Sequence, residues 1–341
     1  APAPAPEWPA YQLTATIDPP THRLTTVAEI TLPAALAGKP VEFVLGANFA
    51  VTASSPKATK LPADASAKAF AGINGSSEAL ASKRGISGYR VKLPAGVRSF
   101  RVEYTGLVDI PPTASPEEYA RSFAETPGII SEQGIYLAGS TLWYPQIGGD
   151  AGELVTYSFT VNAPAGWHII APGNGESAGA DGKARWETPS AVDEISVAGG
   201  PLTRYTGSAG LAEAEVFLRE PDPKLAATYL DATSRYLRMY SELIGPYPYK
   251  KFALVENFWE TGYGMPSYTL LGPQIIRFPF ILTSSYPHEI LHNWWGNSVF
   301  VDYESGNWCE GLTAYMADHL IQEQRGRGAE YRRDALQKYR N

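Results

Sequence analysis

The sequence predicts an α+β chain of two domains, an amino-terminal antiparallel β-sandwich followed by a mixed α/β domain. Three observations carry that reading. Hydrophobic residues alternate with period two as far as about Arg204, the period then turns helical, and 341 residues is roughly twice the ~150 of an average domain. The boundaries that follow are a Pro-rich leader over 1–10, the sandwich over 11–204 and the α/β domain over 205–341.

The opening Ala-Pro-Ala-Pro-Ala-Pro-Glu-Trp-Pro has neither a basic nor an apolar stretch. It reads as the stiff spacer left after removal of a signal peptide, so an exported protein, periplasmic or extracellular, is expected. Tyr11, Leu13, Ala15 and Ile17 then alternate with polar partners. Residues 24–32 and 100–104 do the same, as do Val155, Tyr157, Phe159 and Val161, and each set gives a strand one apolar face. Asp18-Pro19-Pro20, Lys39-Pro40, Leu93-Pro94-Ala95-Gly96 and Ala163-Pro164-Ala165-Gly166 supply turns between them. Residues 54–87, rich in Ala, Ser, Lys and Gly, are expected as a long loop. Beyond Arg204, Leu225, Tyr229, Ala232, Tyr236, Leu237 and Tyr240 fall at helical spacing, and Ile244-Gly245-Pro246 ends that helix. A short strand over 252–255, a helix over 284–295 capped by Ser284 or Ser285, and a helix over 308–324 complete the expected order.

Composition narrows the function classes. With 44% hydrophobic and 18% charged residues, 32 Gly and 28 Pro, the chain is neither a disordered tail nor a coiled coil. A net charge of −7 without a basic stripe leaves no footprint for nucleic acid. No apolar run approaches the ~18 residues of a membrane span. The single cysteine, Cys309, excludes an intrachain disulfide and an all-cysteine zinc site.

His288-Glu289-Ile290-Leu291-His292 is a His-Glu-x-x-His motif holding two of the five histidines. Chance would produce it in about one of 200 chains of this composition. At about 100° per residue, His288 and His292 lie ~40° apart on one face, Glu289 ~100° round, and Ile290, Leu291 and Trp294 on the opposite, apolar face. Two imidazoles one turn apart can share a zinc ion, while the adjacent Glu289 is too far round to ligate and can take a proton from zinc-bound water. A catalytic zinc also needs a third protein ligand. Glu310 is the candidate, although taken alone it reads equally as an acidic residue favoured at a helix N-terminus. The helix it opens carries an apolar stripe of Leu312, Tyr315, Met316, His319 and Leu320.

The run from His288 through Gly296-Asn297 to Trp308-Cys309-Glu310-Gly311-Leu312-Thr313-Ala314-Tyr315 resembles the gluzincin zinc peptidases of the membrane alanyl aminopeptidase and leukotriene-A hydrolase type. The resemblance implies an amino-terminal β-domain, a thermolysin-like α/β zinc peptidase domain, and one Zn2+ held by His288, His292 and Glu310. It also implies Glu289 as general base and a peptide as substrate. Three departures are visible. The 17 residues between His292 and Glu310 are one fewer than the family usually has. The family's Gly-x-Met-Glu-Asn strand, whose carboxylate anchors a substrate's free amine, stands here as Tyr263-Gly264-Met265-Pro266-Ser267. That leaves Gly264 and Met265 as backbone contacts for substrate and Glu256 or Glu260 as replacement anchors. Finally, the tyrosine that such enzymes use against the tetrahedral intermediate lies farther beyond the glutamate ligand than this chain extends.

The last residues read as mid-helix, so the expectation is a truncated peptidase domain completed by a carboxyl-terminal segment or a second chain. Around the site, Cys309 is expected as packing, Asp318 and His319 as supports for the imidazoles or as solvated and half-buried residues, and Trp294, Trp295 and Trp308 as core. The function expected is zinc-dependent peptide-bond hydrolysis by an aminopeptidase-like enzyme with an altered amine anchor. The alternative is a catalytically weakened zinc-binding protein that binds peptides or partners. A β-sandwich adhesion or carbohydrate-binding module explains the first 200 or so residues only.

Overall fold

The computed structural model describes residues 8–70, 85–114, 124–148, 154–302 and 305–340, so most of the Pro-rich leader lies outside the described residues. The described chain divides into two compact units that meet between Leu202 and Thr203.

In the first unit, the alternation of Tyr11, Leu13, Ala15 and Ile17 becomes the strand Ala10–Asp18, whose odd-numbered side chains are buried and whose even-numbered ones face solvent. It lies inside a seven-stranded sheet, next to Arg23–Thr31 on one side and Thr156–Asn162 on the other. The pairing with Thr156–Asn162 is parallel, which departs from the all-antiparallel expectation. A four-stranded sheet containing Pro40–Gly46 and Ile86–Lys92 faces it, with Phe43 stacked on Phe100 at 5.8 Å, and a second four-stranded sheet contains Gly134–Leu137 and Val197–Gly200. The loop expected over 54–87 is in part regular structure. The strand Phe49–Ser55 runs into it, Ala58–Lys60 pairs with Ile86–Lys92, and a helix, Ala63–Phe70, docks where Ser66 Oγ accepts from the Gly88 amide at 3.0 Å. Residues 71–84 lie outside the described residues.

The second unit holds a five-stranded sheet in the order Thr203–Ala209, Ala212–Leu218, Lys251–Glu256, Tyr268–Leu271, Gly262–Met265. The three inner strands are parallel, and Gly262–Met265 runs antiparallel along the edge. The long helix Pro223–Leu243 packs on the sheet through Tyr229, Ala232, Tyr236, Leu237 and Tyr240, the periodic set read from the sequence. Asp222 caps it by accepting from the Leu225 amide at 2.9 Å, a contact of the kind that contributes ~1 kcal/mol. The helix Ser285–Leu291 joins the same core through Tyr286, Ile290 and Leu291. The chain then forms Cys309–Ala314, a wide turn over Tyr315–His319, Leu320–Gln324, and a final helix Gly328–Arg340.

Candidate metal centre

The helix carrying the two histidines is shorter than its sequence pattern suggests. Regular turns end at Leu291, and His292 to Trp295 continue as bonded turns until Gly296, at φ +101°, reverses the chain. Ser284 occupies the cap position but makes no cap bond, because its hydroxyl donates to the Phe280 carbonyl at 2.9 Å instead. Packing holds the helix. Tyr286 is fully buried with its hydroxyl against Thr233 Oγ1 at 2.5 Å, and Trp294 Nε1 donates to the Gly245 carbonyl at 3.1 Å.

The opposite face gathers His288, His292 and Glu310, each offering one ligand atom within 4.8 Å of the others. Glu310 Oε2 lies 3.3 Å from His288 Nε2 and Glu310 Oε1 lies 3.4 Å from His292 Nε2. Ligands bound tetrahedrally at about 2.0–2.1 Å stand about 3.3–3.4 Å apart, so each of these two histidine–glutamate separations suits zinc. The remaining ring nitrogens are committed elsewhere. His288 Nδ1 is 3.3 Å from Asp318 Oδ2, and His292 Nδ1 is 3.0 Å from the Trp295 carbonyl. Both partners are acceptors, so in the neutral rings each proton sits on Nδ1 and an Nε2 lone pair faces Glu310. Lone pairs of two imidazoles and a carboxylate then converge, an arrangement that a shared cation satisfies. Burial pulls the His288 pKa down, but the Asp318 bond and the Glu289 and Glu310 carboxylates carry it above its ordinary value.

Glu289 is placed beside this cluster and is not among its ligand atoms. Burial raises its carboxyl pKa, partly offset by the two imidazoles. Its Oε2 lies over Gly264 of the edge strand, in the space a Cβ would fill. Met265 shares that strand, with its side chain buried and its backbone paired opposite Tyr268.

Neither proposed amine anchor has two available oxygens. Glu256 is only 3% exposed, accepts from the Arg219 amide at 2.8 Å and pairs with Arg277 at 2.6 Å. Glu260 Oε1 accepts from the Gln274 amide at 2.7 Å, and its Oε2 is buried without a partner. Pro266 and Ser267, at φ +69°, form the tight turn of the edge hairpin.

Three supporting residues escaped the sequence reading or were left open by it. Asn293 is fully buried and ties the histidine helix to the hairpin, accepting from the Ser267 amide at 2.7 Å and donating to the Ile290 carbonyl at 2.9 Å. An asparagine directly after the motif was the one trace of this in the sequence, and it does not name the partner. Lys251 braces the same turn through Ser267 O and Oγ, at 3.1 and 2.8 Å. Tyr331, from the final helix, lines a cavity of about 460 Å³ with His288, Glu289, Asp318, Gln322 and Ser285. Cys309 is buried, with Sγ 3.7 Å from His292 Nδ1, in a packing position. His319 does not touch either imidazole ligand through a hydrogen bond. Its Nε2 accepts from Arg332 at 2.6 Å and its ring stacks on Tyr315 at 4.9 Å. Tyr315, expected in the apolar stripe, is 62% exposed. Trp294 is core, whereas Trp308 sits at the surface with its edge against Trp295.

No protein-family model and no curated protein matches this sequence. Solved structures do match its fold. A mutant of the M1 zinc metallopeptidase of Deinococcus radiodurans, bound to a Tyr-Ser-Ala substrate, superposes with a TM-score of 0.63 at 17% identity, over 93% of this chain and 71% of that one. Native yeast LTA4 hydrolase superposes at 0.63 with 11% identity, over 96% of this chain and 52% of that one. The same yeast enzyme with bestatin gives 0.64 at 12% identity, over 94% and 51%. The chain thus has the fold these structures share, an amino-terminal β-domain followed by a thermolysin-like domain. It spans about 70% of the bacterial protein and half of the yeast one.

Proposed function

We propose that this chain is a zinc metallopeptidase in which His288, His292 and Glu310 hold the metal and Glu289 is the general base. The observation that carries the proposal is the convergence of one ligand atom from each of three residues within 4.8 Å, with both Nδ1 positions already facing acceptors. When bound there, zinc supplies a water pKa lowered to about 7 and polarisation of a scissile carbonyl. The protein's own groups supply the rest. Glu289, half-buried at the cavity wall and outside the ligand set, accepts a proton from the attacking water and passes it to the leaving amine. Asp318 and the Trp295 carbonyl hold the imidazoles in the tautomer that ligates. Gly262–Met265, the edge strand of its sheet, offers backbone groups to an extended peptide.

The substrate end follows from what flanks that strand. An ammonium buried without a carboxylate is costly, and Pro266 offers none. Glu256 already serves Arg219 and Arg277. The preferred substrates are therefore peptides of several residues, amino-blocked ones included, rather than single-residue amides. The Tyr-Ser-Ala peptide of the Deinococcus structure is of that size class. Zinc analysis combined with hydrolysis of one peptide in free and acetylated forms tests the proposal. Tight zinc with binding of both peptides and cleavage of neither supports the alternative, a peptide-binding protein without activity.

A further inference from the structure

The helix that carries Glu310 is not regular. Between Tyr315 and His319 it opens into a turn one residue too wide, closed by the Leu320 amide donating to the Tyr315 carbonyl five residues back. Such turns hold one residue more than an α-helix does and are frequent at functional sites. We infer that this wide turn is a register device, which brings Asp318 back onto the face of Glu310 so that the His288 imidazole is held at both nitrogens. The inference rests on the zinc reading of the site.

An uninterrupted helix would turn by about 100° at every residue. Asp318 is the eighth residue after Glu310, and eight steps of about 100° leave it ~80° away from the ligand's direction. Seven steps would leave it only ~20° away, a place Ala317 would take. Observed contacts show the opposite assignment. Ala317 is fully buried in the core with Ile290, Leu291 and Trp294, while Asp318 Oδ2 reaches His288 Nδ1 at 3.3 Å and Glu310 Oε2 reaches His288 Nε2 at 3.3 Å. One absorbed residue accounts for the difference. The same turn leaves Tyr315 exposed, against the face of His319, and His319 is in turn bound by Arg332 of the final helix. The wide turn is thereby fixed from outside the metal centre. Asp318 acts through His288 and is a positioning residue.

If the extra residue only sets register, removing it should leave Asp318 seven steps from Glu310 in a regular helix and preserve the contact. Deletion of Met316, which is not one of the ligating residues and packs partly buried against the core, is expected to keep zinc affinity within about threefold of the parent, by chelator competition. The visible absorption of the cobalt-substituted protein should also be unchanged. Asp318→Ala is expected to lose affinity by about 10–100-fold and to shift that absorption. A second variant keeps the chain length, so it does not depend on the deletion folding. Ala317→Asp combined with Asp318→Ala moves the carboxylate by one position, and with the wide turn present it should bind zinc no better than Asp318→Ala alone. The inference is overturned if the folded deletion variant loses zinc as Asp318→Ala does, if Asp318→Ala binds as the parent does, or if the double variant recovers parental affinity. Because every readout concerns metal, a parent that binds zinc tightly but cleaves no peptide removes the peptidase reading and leaves this one standing.

Discussion

The Glu289 carboxylate rests against the Cα of Gly264, in the volume that any larger residue would occupy with its Cβ. The proposed general base is thus positioned by the edge strand as well as by its own helix. Gly264→Ala should keep fold and zinc, because the displaced atom is the end of a flexible side chain. It should lower kcat/KM by about 10-fold or more, since a catalytic group moved by about an ångström costs heavily. Zinc content and peptide hydrolysis measured on one preparation check this, and parental rates would show that the base does not depend on the strand.

Lys251 supports the turn of that strand from a fully buried position. Burial lowers its pKa to about 7, although the Glu215 carboxylate opposes the shift. Between pH 7 and about 10 the unfolded chain keeps a proton that the native amine has lost. Stability should therefore rise with pH across that window. Urea midpoints for the parent should climb from pH 7 to about 9.5 more steeply than those of Lys251→Met. Parallel slopes would mean that the native amine stays charged.

Glu256 tests whether a carboxylate near the cleft serves substrate or structure. Both oxygens are engaged, by the Arg219 amide and by Arg277. Glu256→Ala should cost more than ~1 kcal/mol of stability through the groups left unpaired, and it should not alter the ratio of rates on free and acetylated peptides. A collapse of free-peptide turnover alone would identify it as an amine anchor.

Much of this was legible in the sequence because it is local. The long helix repeats its apolar residues every three or four positions, and Pro223–Leu243 buries that set. The one-turn spacing of His288 and His292 brings both imidazoles to one face. Other features depend on residues far apart in the chain. The parallel neighbour of Ala10–Asp18 is Thr156–Asn162, and alternation specifies a face but not a partner or direction. Within 54–87 the strand Ala58–Lys60 and the helix Ala63–Phe70 were hidden by Ala, Ser and Lys, which mark neither period strongly. The stripe predicted through Tyr315 assumed an even 100° per residue, which the wide turn breaks. The purpose of Asn293 is visible only once Ser267 is beside it.

The central claim is that Glu289 does proton chemistry at a zinc ion it does not bind. The direct measurement is the rate of peptide hydrolysis by Glu289→Gln and by the parent at equal, measured zinc occupancy. The account expects full zinc in the variant and a rate lower by about 10²–10⁴-fold, the range associated with general acid–base catalysis. Equal rates at equal zinc, or a fully zinc-loaded parent that hydrolyses no peptide, would contradict it.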